Sequence, residues 1–325
     1  MIPASGAQYV LAHADQVAVV TEVGATLRSY ISGGRDVCWG FGESEMCGGG
    51  RGQVLAPWPN RLRDGRYTFE GVEGHAALDE PDRANAIHGI VRWVPWRLVE
   101  RTGSAVRLAH VLHPQPAYPF RLHLELDYGL DDRGLTVVVR AVADGDCRTP
   151  FGVGFHPYFA VGPAGVDEAR LAVPADVRLL LDERALPVGS QPVAGTPYEV
   201  AAGSSPATAV DRPPVGSLRL DDCFTGLALG RDRRWRAELL AGGADEPVVV
   251  WADASFAYAM VYSGDTQPGA DRRRAIAVEP MTCPPDALRT GDDLIVLEPG
   301  ESFAASWGVV PPGADRSVPT PSPSV

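Results

Sequence analysis

Four short segments of the chain place hydrogen-bonding or titratable side chains beside Gly, Pro or aromatic residues. They read APWPNRLRDGRYTFEG, NAIHGIVRWVPW, FGVGFHPYF and AIAVEPMTCPPDAL. In the last segment an apolar run leads to Glu279, and we expect Pro280 to end regular strand pairing there. A carboxylate on an apolar strand has two interpretations. Either partial burial raises its pKa toward the range of a general base, or it forms a buried ion pair with an Arg.

The second and third segments each contain a histidine. His156 lies in the aromatic stretch FHPYF, so it is either a satisfied core residue or a tuned proton donor. His88 precedes Gly89 and is close to two tryptophans, although a single His is most often structural. Because imidazole titrates near neutral pH, both side chains are candidates for acid–base chemistry.

Polar side chains that could bind hydroxyl groups occur in the first segment and in a fifth, LRLDDCFTGL. Asn60 and Arg61 follow a Pro-Trp-Pro rim, and the fork of five guanidinium donors serves either a surface ion pair or a ligand. The neighbouring Trp58 offers an aromatic face of the kind that suits sugar rings. Asp221 and Asp222 are either part of a turn or further ligands.

The elements that position these residues are predicted by period-two alternation. Residues 122, 124, 126 and 128 are apolar or aromatic and alternate with polar ones, which is typical of a half-buried antiparallel strand. Asp131 to Gly134 then predicts a hairpin turn before a strand over 135–142. Further strands are predicted at Val17–Val20, Val106–Val111, Arg236–Leu240, Val248–Ala252, Tyr258–Tyr262, Ile276–Val278, Leu294–Leu297 and Phe303–Val309.

The 325 residues contain 36 Gly and 29 Pro, and helical periodicity is nearly absent. This punctuation favours an all-β fold, a large antiparallel β-sandwich, over alternating βα units. The irregular stretches 202–216 and 264–274 are short enough to be loops, so we predict a single domain over residues 1–310. Residues 311–325, rich in Pro and Ser, are predicted to be a flexible tail.

Composition excludes several classes of function. All 29 basic residues are Arg, so Schiff-base lysines, pyridoxal chemistry and P-loop lysines are impossible. The formal net charge of −12 argues against nucleic acid as a partner. The first 27 residues lack Arg and Lys, and no apolar run reaches the length of a membrane span, which predicts a cytoplasmic protein without a membrane partner. Five widely spaced cysteines without a C-x-x-C pair are expected to be reduced thiols.

Together and in this order, PNRLRDGRYTFEG, IHG, FHPYF, DDCF and EPMTCPPDAL resemble the aldose 1-epimerase (galactose mutarotase) family over roughly residues 24–309. The resemblance implies a single-domain supersandwich of antiparallel strands with an open sugar-binding cleft. It also implies a cofactor-independent isomerase that interconverts the α and β anomers of an aldohexose, as a monomer or homodimer.

The resemblance also implies roles for individual residues. Glu279 is the base that takes the proton of the C1 hydroxyl, and His156 is the acid that protonates the ring oxygen. The implied sugar ligands are His88, Arg61, Asp221 and Asn60. Asp221 is preferred to Asp222 because it lies three residues before Phe224. The galactose-specific branch has a second Gly after HG, where this chain has Ile90, so the implied substrate is an aldose, free or phosphorylated.

Other functions use the same residues. The chain could be a sugar-binding protein without catalysis on the same sandwich, or a hexose-6-phosphate mutarotase. His88, His156 and Glu279 could form a two-His-one-carboxylate metal set, but no H-x-H cluster is present and we expect no metal. Asp221 and Glu279 could supply the two carboxylates of a glycoside hydrolase, which would leave the histidines without a role.

Overall fold

The computed structural model describes residues 3–203 and 208–314, and within these ranges the chain forms 26 β-strands and one short helix. The strands of the first half are β1 Gln8–His13, β2 Gln16–Thr21, β3 Leu27–Ser32, β4 Arg35–Cys38, β5 Val54–Leu55, β6 Arg61–Arg63, β7 Arg66–Phe69, β8 Val72–His75, β9 Asn85–Ile87, β10 Arg97–Arg101, β11 Ala105–Leu112, β12 Leu122–Asp131 and β13 Gly134–Ala143. Those of the second half are β14 Thr149–Phe151, β15 Gly154–Phe155, β16 Tyr158–Ala160, β17 Arg170–Ala172, β18 Ala175–Leu181, β19 Pro187–Pro192, β20 Asp221–Leu227, β21 Arg234–Leu240, β22 Val248–Asp253, β23 Tyr258–Tyr262, β24 Ala275–Met281, β25 Ile295–Leu297 and β26 Ser302–Val310. The helix is α1 Ala287–Thr290, and 3₁₀ turns lie at Pro81–Arg83, Val166–Glu168, Pro197–Val200, Ala209–Asp211 and Gly269–Asp271.

Most of these strands belong to two large antiparallel sheets. In the described ranges, a 12-stranded sheet has the order β1-β2-β3-β4-β16-β24-β23-β20-β18-β19, with β15 pairing both β24 and β5. An 8-stranded sheet has the order β10-β11-β12-β13-β26-β22-β21-β17, and the pairs β6–β9, β7–β8 and β14–β25 lie outside both. The prediction of an all-β antiparallel sandwich is confirmed.

The hydrophobic core draws side chains from both sheets. Along β12 buried and half-buried positions alternate over all ten residues, as the sequence pattern predicts. Leu126 and Val139 of the 8-stranded sheet belong to the same buried cluster as Phe159 and Val278 of the 12-stranded sheet. Each large sheet therefore turns one face to a common core, and the other face of the 12-stranded sheet is available for a site.

The long strands lie where alternation predicts them. β12 and β13 pair from Leu122–Ala143 to Asp131–Gly134, which confirms the hairpin with its turn at residues 132 and 133. Tyr258–Tyr262 is a strand as predicted, and the other predicted strands each fall within or overlap an observed one. The described residues of 202–216 and 264–274 contain 3₁₀ turns, irregular backbone and one isolated bridge from Ala202 to Val173, but no strand, as expected of loops. Residues 204–207, and residues 315–325 of the predicted tail, lie outside the described ranges.

The expectation that Pro280 ends strand pairing is wrong. β24 continues to Met281, and Pro280 lies opposite Ala259 of β23. On the other side of β24, β16 pairs only with residues 275–277 and β15 only with Met281, so residues 278–280 face no paired strand there in the described chain. A proline without an N–H is tolerated because this stretch of β24 has a strand on one side only.

No helix in the part of the chain that the structure describes is long and apolar enough to cross a membrane.

Candidate active site

Glu279 lies on β24, in the middle of the 12-stranded sheet and on the face turned away from the core. Its neighbours Ile276 and Val278 join the main hydrophobic core, whereas Ala277 packs in a separate cluster on the other face. The Glu279 side chain is 2% exposed, and its Oε2 has no hydrogen-bond partner among the described residues. Burial raises the pKa of this carboxyl well above its usual value, and the negative charge of Asp221 adds to the shift.

His156 lies in the break between β15 and β16, opposite the unpaired stretch of β24. Its backbone is fixed on both sides, because its N–H donates to the carbonyl of Gln53 at 3.1 Å and its carbonyl accepts from Gly52 at 2.8 Å. The ring Nε2 lies 3.3 Å from Glu279 Oε1. Burial, with smaller contributions from the positive charges of Arg92 and Arg61, lowers the pKa of this imidazole to about 3.

His88 is the second histidine of the site. Its ring packs edge-to-face against His156, with the centroids 5.2 Å apart. Its backbone is left-handed, with φ +67°, and its N–H donates to the carbonyl of Asn60 at 2.8 Å. Burial together with the neighbouring His156 lowers the pKa of His88 well below its usual value. We conclude that both imidazoles are held in the neutral form.

Asn60, whose carbonyl accepts the hydrogen bond from the His88 N–H, has a left-handed backbone that is stabilised by its own side chain. It has φ +56°, and its side-chain Oδ1 accepts a hydrogen bond from the backbone N–H of Arg61 at 2.9 Å. Asparagine adopts the left-handed region more readily than most residues because its side chain can bond locally in this way. The structure therefore connects Asn60 to His88 and Arg61 through the backbone.

Arg61 is a buried guanidinium held between two acids. Its Nε donates to both carboxylate oxygens of Glu80, at 3.0 and 3.2 Å, and its Nη2 donates to Glu80 at 3.1 Å. Nη2 also lies 3.4 Å from Asp221 Oδ2. This pairing fixes the orientation of the fork and neutralises most of its charge.

The two adjacent acids of β20, Asp221 and Asp222, lie in different environments. The Asp221 side chain is 39% exposed and contacts Arg61 and, at 3.7 Å, Arg83. Asp222 is buried and paired with Arg178 at 2.6 Å. Consecutive strand residues point to opposite faces of a sheet, so only one of the two acids can face Arg61, and that acid is Asp221.

Glu279, His156, His88, Arg61 and Asp221 thus form one connected group. Three buried polar atoms of this group lack a hydrogen-bond partner in the described ranges, namely Glu279 Oε2, His156 Nδ1 and His88 Nδ1. Buried polar groups without partners are rare in folded proteins, and such a concentration indicates a place where a polar ligand completes the bonding.

Several residues of the site were not identified from the sequence as site residues. Glu80, which holds Arg61, lies in the segment ALDEPDR and carries no local signal of its role. Tyr158, which stacks on His156, lies inside the quoted FHPYF segment, so its position was a usable signal. Gln267, which bonds to Tyr158, lies in a stretch interpreted only as a loop. Their roles depend on contacts between distant parts of the chain.

The arrangement offers little to a metal ion. Within the two described ranges no group of three or more His, Cys, Asp or Glu side chains could hold one. The two-His-one-carboxylate interpretation therefore gains no geometric support, and the chemistry on offer is that of a proton-transferring pair with flanking hydrogen-bond partners.

Comparison with known proteins identifies relatives of the chain. The family model described as aldose 1-epimerase matches residues 7–308. The Escherichia coli protein YihR, described as uncharacterized, is 31% identical over 298 residues, which is 91% of each chain. Galactose mutarotase from Rattus norvegicus is 31% identical over 161 residues, which cover 46% of this chain and 44% of the rat protein.

Solved structures have a similar fold. The GalM/aldose epimerase homologue from C. elegans has a TM-score of 0.79 at 16% identity, covering 94% of this chain and 98% of that one. Galactose 1-epimerase from Lactobacillus acidophilus has a TM-score of 0.71 at 22% identity, covering 92% and 93%. The order of the motifs, the antiparallel sheets and the near full-length family match agree, and the chain belongs to the aldose 1-epimerase family.

Proposed function

We propose that the protein is an aldose 1-epimerase that interconverts the anomers of a free aldohexose, with Glu279 as base and His156 as acid. The observation that carries this proposal is the 3.3 Å contact between Glu279 Oε1 and His156 Nε2. In a pyranose the C1 hydroxyl and the ring oxygen are bonded to the same carbon. An acid and a base that serve these two oxygens must therefore lie next to each other, as these side chains do.

The reaction needs one proton shared by Glu279 and His156, and this proton must be on the imidazole when the ring opens, because His156 is the proposed acid. Burial favours the neutral forms, which places the shared proton on Glu279 before a sugar binds. Transfer of that proton across the 3.3 Å contact produces carboxylate and imidazolium, and sugar hydroxyls that bond to the unpartnered atoms stabilise these charged forms.

The chemical steps then balance without another reactant. Glu279 removes the C1 hydroxyl proton while His156 protonates the ring oxygen, and the C1–O5 bond breaks to give the open-chain aldehyde. Rotation about C1–C2 presents the other carbonyl face. The O5 hydroxyl adds to that face with the two proton transfers reversed, which gives the opposite anomer and restores both side chains.

Flanking residues hold the ring during these steps. Asp221, half-exposed beside Arg61, accepts hydrogen bonds from sugar hydroxyls, and the guanidinium of Arg61 donates them. His88 Nδ1 is unpartnered in the described structure and faces the same group of residues, so it supplies a further polar contact. Asn60 supports this wall through its bonds to the backbone.

The charge balance favours an unphosphorylated sugar. Arg61 is paired with Glu80 and Asp221, and Arg92, the other arginine that acts on His156, is paired with Asp79. A phosphate dianion would have to displace these carboxylates or meet their negative charge. We therefore expect free hexoses to react faster than their 6-phosphates.

Polarimetry of freshly dissolved α-D-glucose and α-D-galactose tests the proposal. We expect the protein to accelerate the drift above the uncatalysed rate at the same pH, and His156→Asn to lose roughly 10²-fold or more of the acceleration. His123→Asn, on the outward side of β12, is the matched control and should keep the full rate. An active His156→Asn variant would remove that residue from the mechanism.

Isotope labelling separates this reaction from glycoside hydrolysis. Ring opening breaks C1–O5 and leaves the C1 oxygen on the sugar, whereas hydrolysis of a glycoside brings a solvent oxygen to C1. We expect accelerated anomer exchange in H₂¹⁸O with no ¹⁸O incorporation above the uncatalysed control. Release of the leaving group from a nitrophenyl glycoside would instead support a hydrolase.

A further inference from the structure

The orientation of the His156 ring is not fixed by a hydrogen bond to its second nitrogen. Nε2 faces Glu279, but no other residue in the described part of the chain hydrogen-bonds to Nδ1, and the backbone group that raises the pKa of the ring belongs to His156 itself. A histidine that must transfer protons usually has its other nitrogen bonded, which selects the ring orientation and the tautomer. Some other contact must hold this ring if it serves as an acid.

Packing supplies that contact. The ring of Tyr158 lies parallel to the His156 ring, with 4.9 Å between centroids and 6° between planes. His88 meets another side of the ring edge-to-face. Gly50 closes the Cδ2 edge, since a Cβ built at Gly50 would lie 2.7 Å from His156 Cδ2. The imidazole is therefore confined by stacking and close contact.

Tyr158 is in turn held at its hydroxyl. The OH donates to the carbonyl of Gly49 at 2.9 Å and accepts from Gln267 Nε2 at 3.2 Å. The Trp39 ring contacts the Tyr158 ring at its edge, and the backbone N–H of Trp39 donates to the backbone carbonyl of Tyr158 at 2.8 Å. A phenol ring with both hydroxyl bonds and its backbone fixed has little freedom to rotate.

Two loops contribute these anchors and are tied to each other. Gly49 belongs to the glycine-rich loop before β5, and Gln267 belongs to the loop between β23 and β24. Arg51 of the first loop forms an ion pair of 2.9 Å with Asp271 of the second. The hydroxyl of Tyr158 lies where the two loops meet.

From this geometry we infer that Tyr158, anchored by Gln267 and the Gly49 carbonyl, is the positioning residue for His156. The stack keeps Nε2 directed at Glu279, and the hydroxyl anchor keeps the stack in place. This inference rests on the proposed acid role of His156. It adds that the acid depends on a loop residue, Gln267, which is not part of the sugar-binding wall described above.

Three variants distinguish the effect of the Tyr158 ring stacking on His156 from the effect of the hydrogen bonds at the Tyr158 hydroxyl. Tyr158→Leu removes both and should lower kcat on the order of 10²-fold, with a smaller change in KM, because a displaced acid affects the chemical step. Tyr158→Phe keeps the stack and should lower kcat by about tenfold at most. Gln267→Leu removes one bond to the hydroxyl and should resemble Tyr158→Phe. Because both act through the same hydroxyl, the double variant Tyr158→Phe/Gln267→Leu should be no slower than Tyr158→Phe alone.

Tyr128→Phe is the matched control for a purely structural loss. The Tyr128 hydroxyl is buried and donates to the carbonyl of Ala25 at 2.7 Å, in the 8-stranded sheet. Compared with the wild type, Tyr128→Phe should have a lower unfolding temperature and the same kcat. If Tyr158→Leu keeps the kcat of Tyr128→Phe, or if the double variant shows additive losses, the positioning role is overturned.

Nuclear magnetic resonance of ¹⁵N-histidine-labelled protein tests the inference without any turnover. A confined ring should give one sharp His156 spin system, which Tyr158→Leu should broaden or shift and Tyr128→Phe should not. A tyrosine face also stabilises an imidazolium, so its loss should move the low-pH limb of activity down by about half a unit. An unchanged His156 signal in Tyr158→Leu would contradict the positioning role. A wild-type protein inactive on every aldose would contradict the proposed function instead.

Discussion

Glu279 and His156, the proposed base and acid, are a carboxyl and an imidazole whose neutral forms are favoured by burial. The carboxyl has an elevated pKa and the imidazole a depressed one, for the same reason, which is the loss of water around both. Elsewhere in the fold a buried titratable pair of this kind would only reduce stability. Its presence on the non-core face of the central strand is a cost in stability that the proposed catalysis would explain.

Replacing Glu279 with Gln should abolish catalysis and stabilise the fold in a pH-dependent way. We expect kcat to fall by roughly 10²- to 10⁴-fold. The folded state raises the pKa of Glu279, so its contribution to stability is present below 4.5 and is lost as the pH rises through the folded value. As the pH rises through that window, the free energy of unfolding of Glu279→Gln should therefore increase relative to that of the wild type, by up to about 1.4 kcal/mol per pH unit. Urea denaturation at pH 5 and pH 8 measures this, and a constant difference would contradict it.

The pH dependence of kcat/KM should reflect the pair rather than an ordinary histidine. Activity requires one proton on the pair, so it falls when a second proton binds and when the only one is lost. With a His156 pKa of about 3 the low-pH limb should lie near pH 3, and the high-pH limb well above 4.5. Polarimetry corrected for the uncatalysed rate gives the profile. A low-pH limb near 6.5 would show that His156 is not buried as described.

At the scale of residues, the sequence was informative where residue type alone is unusual. A carboxylate after an apolar run and a histidine among aromatics drew attention to Glu279 and His156 without any structure. Glu80 and Gln267 carry no such signal, because their importance arises from Arg61 and Tyr158, which are distant from them in sequence. Contacts of that kind are set by the register of the sheets.

At the scale of elements, an interruption in the sheet creates the site. β15 ends at Phe155 and β16 begins at Tyr158, and the break leaves His156 and Pro157 free of strand pairing beside the unpaired stretch of β24. A continuous strand here would pair its backbone with that of β24 and leave no room for the His156 ring beside Glu279. The gap also accommodates Pro280.

Gly50→Ala should displace the acid with only a local effect on the fold. The added Cβ would lie 2.7 Å from His156 Cδ2, and φ is +76°. We expect kcat to fall roughly 10- to 100-fold as the ring moves. Gly34→Ala is the control, because its φ is +71° and no described atom lies within 4 Å of its Cβ. Both variants should lose about 1–2 kcal/mol of stability from the left-handed backbone, but Gly34→Ala should keep full activity, and a fully active Gly50→Ala would contradict the described packing.

Alternation predicts long strands and fails for the short ones that build the site. β12 and β13 have ten residues each, so a period of two is evident in their sequences. β5 and β15 have two residues and β6 has three, which is too short for any period to be seen. Such short strands form because they pair with strands that are distant in the sequence. Sequence analysis therefore predicts the sandwich, whereas the surroundings of Glu279 and His156 are seen only in the structure.

At the scale of the whole molecule, the core and the site occupy opposite faces of the 12-stranded sheet. The core cluster contains Val278 and Phe159, whereas Glu279 and Tyr158 belong to the other face. Packing between the large sheets therefore fixes the position of β24 without using the side chains of Glu279 and Tyr158. Substitutions in the core between the sheets should therefore change stability without changing catalysis.

Leu126→Ala tests this separation. Leu126 is fully buried on β12 of the 8-stranded sheet, so the truncation should cost about 2–5 kcal/mol of unfolding free energy. Activity per folded molecule should be unchanged, because no site residue lies on that strand. Glu125→Ala, on the other face of β12, should change stability by about 0.5 kcal/mol or less. A catalytic defect in fully folded Leu126→Ala would show that the two faces are coupled.

The most direct test of the account is exchange NMR on the anomeric protons of glucose and galactose at equilibrium, which detects passage between α and β forms without any net reaction. We expect exchange cross-peaks between the two H1 signals with wild-type protein, and their loss with Glu279→Gln at the same concentration. Cross-peaks that persist unchanged with Glu279→Gln, or no cross-peaks with wild-type protein and either sugar, would contradict the claim that the Glu279–His156 pair opens and closes the sugar ring.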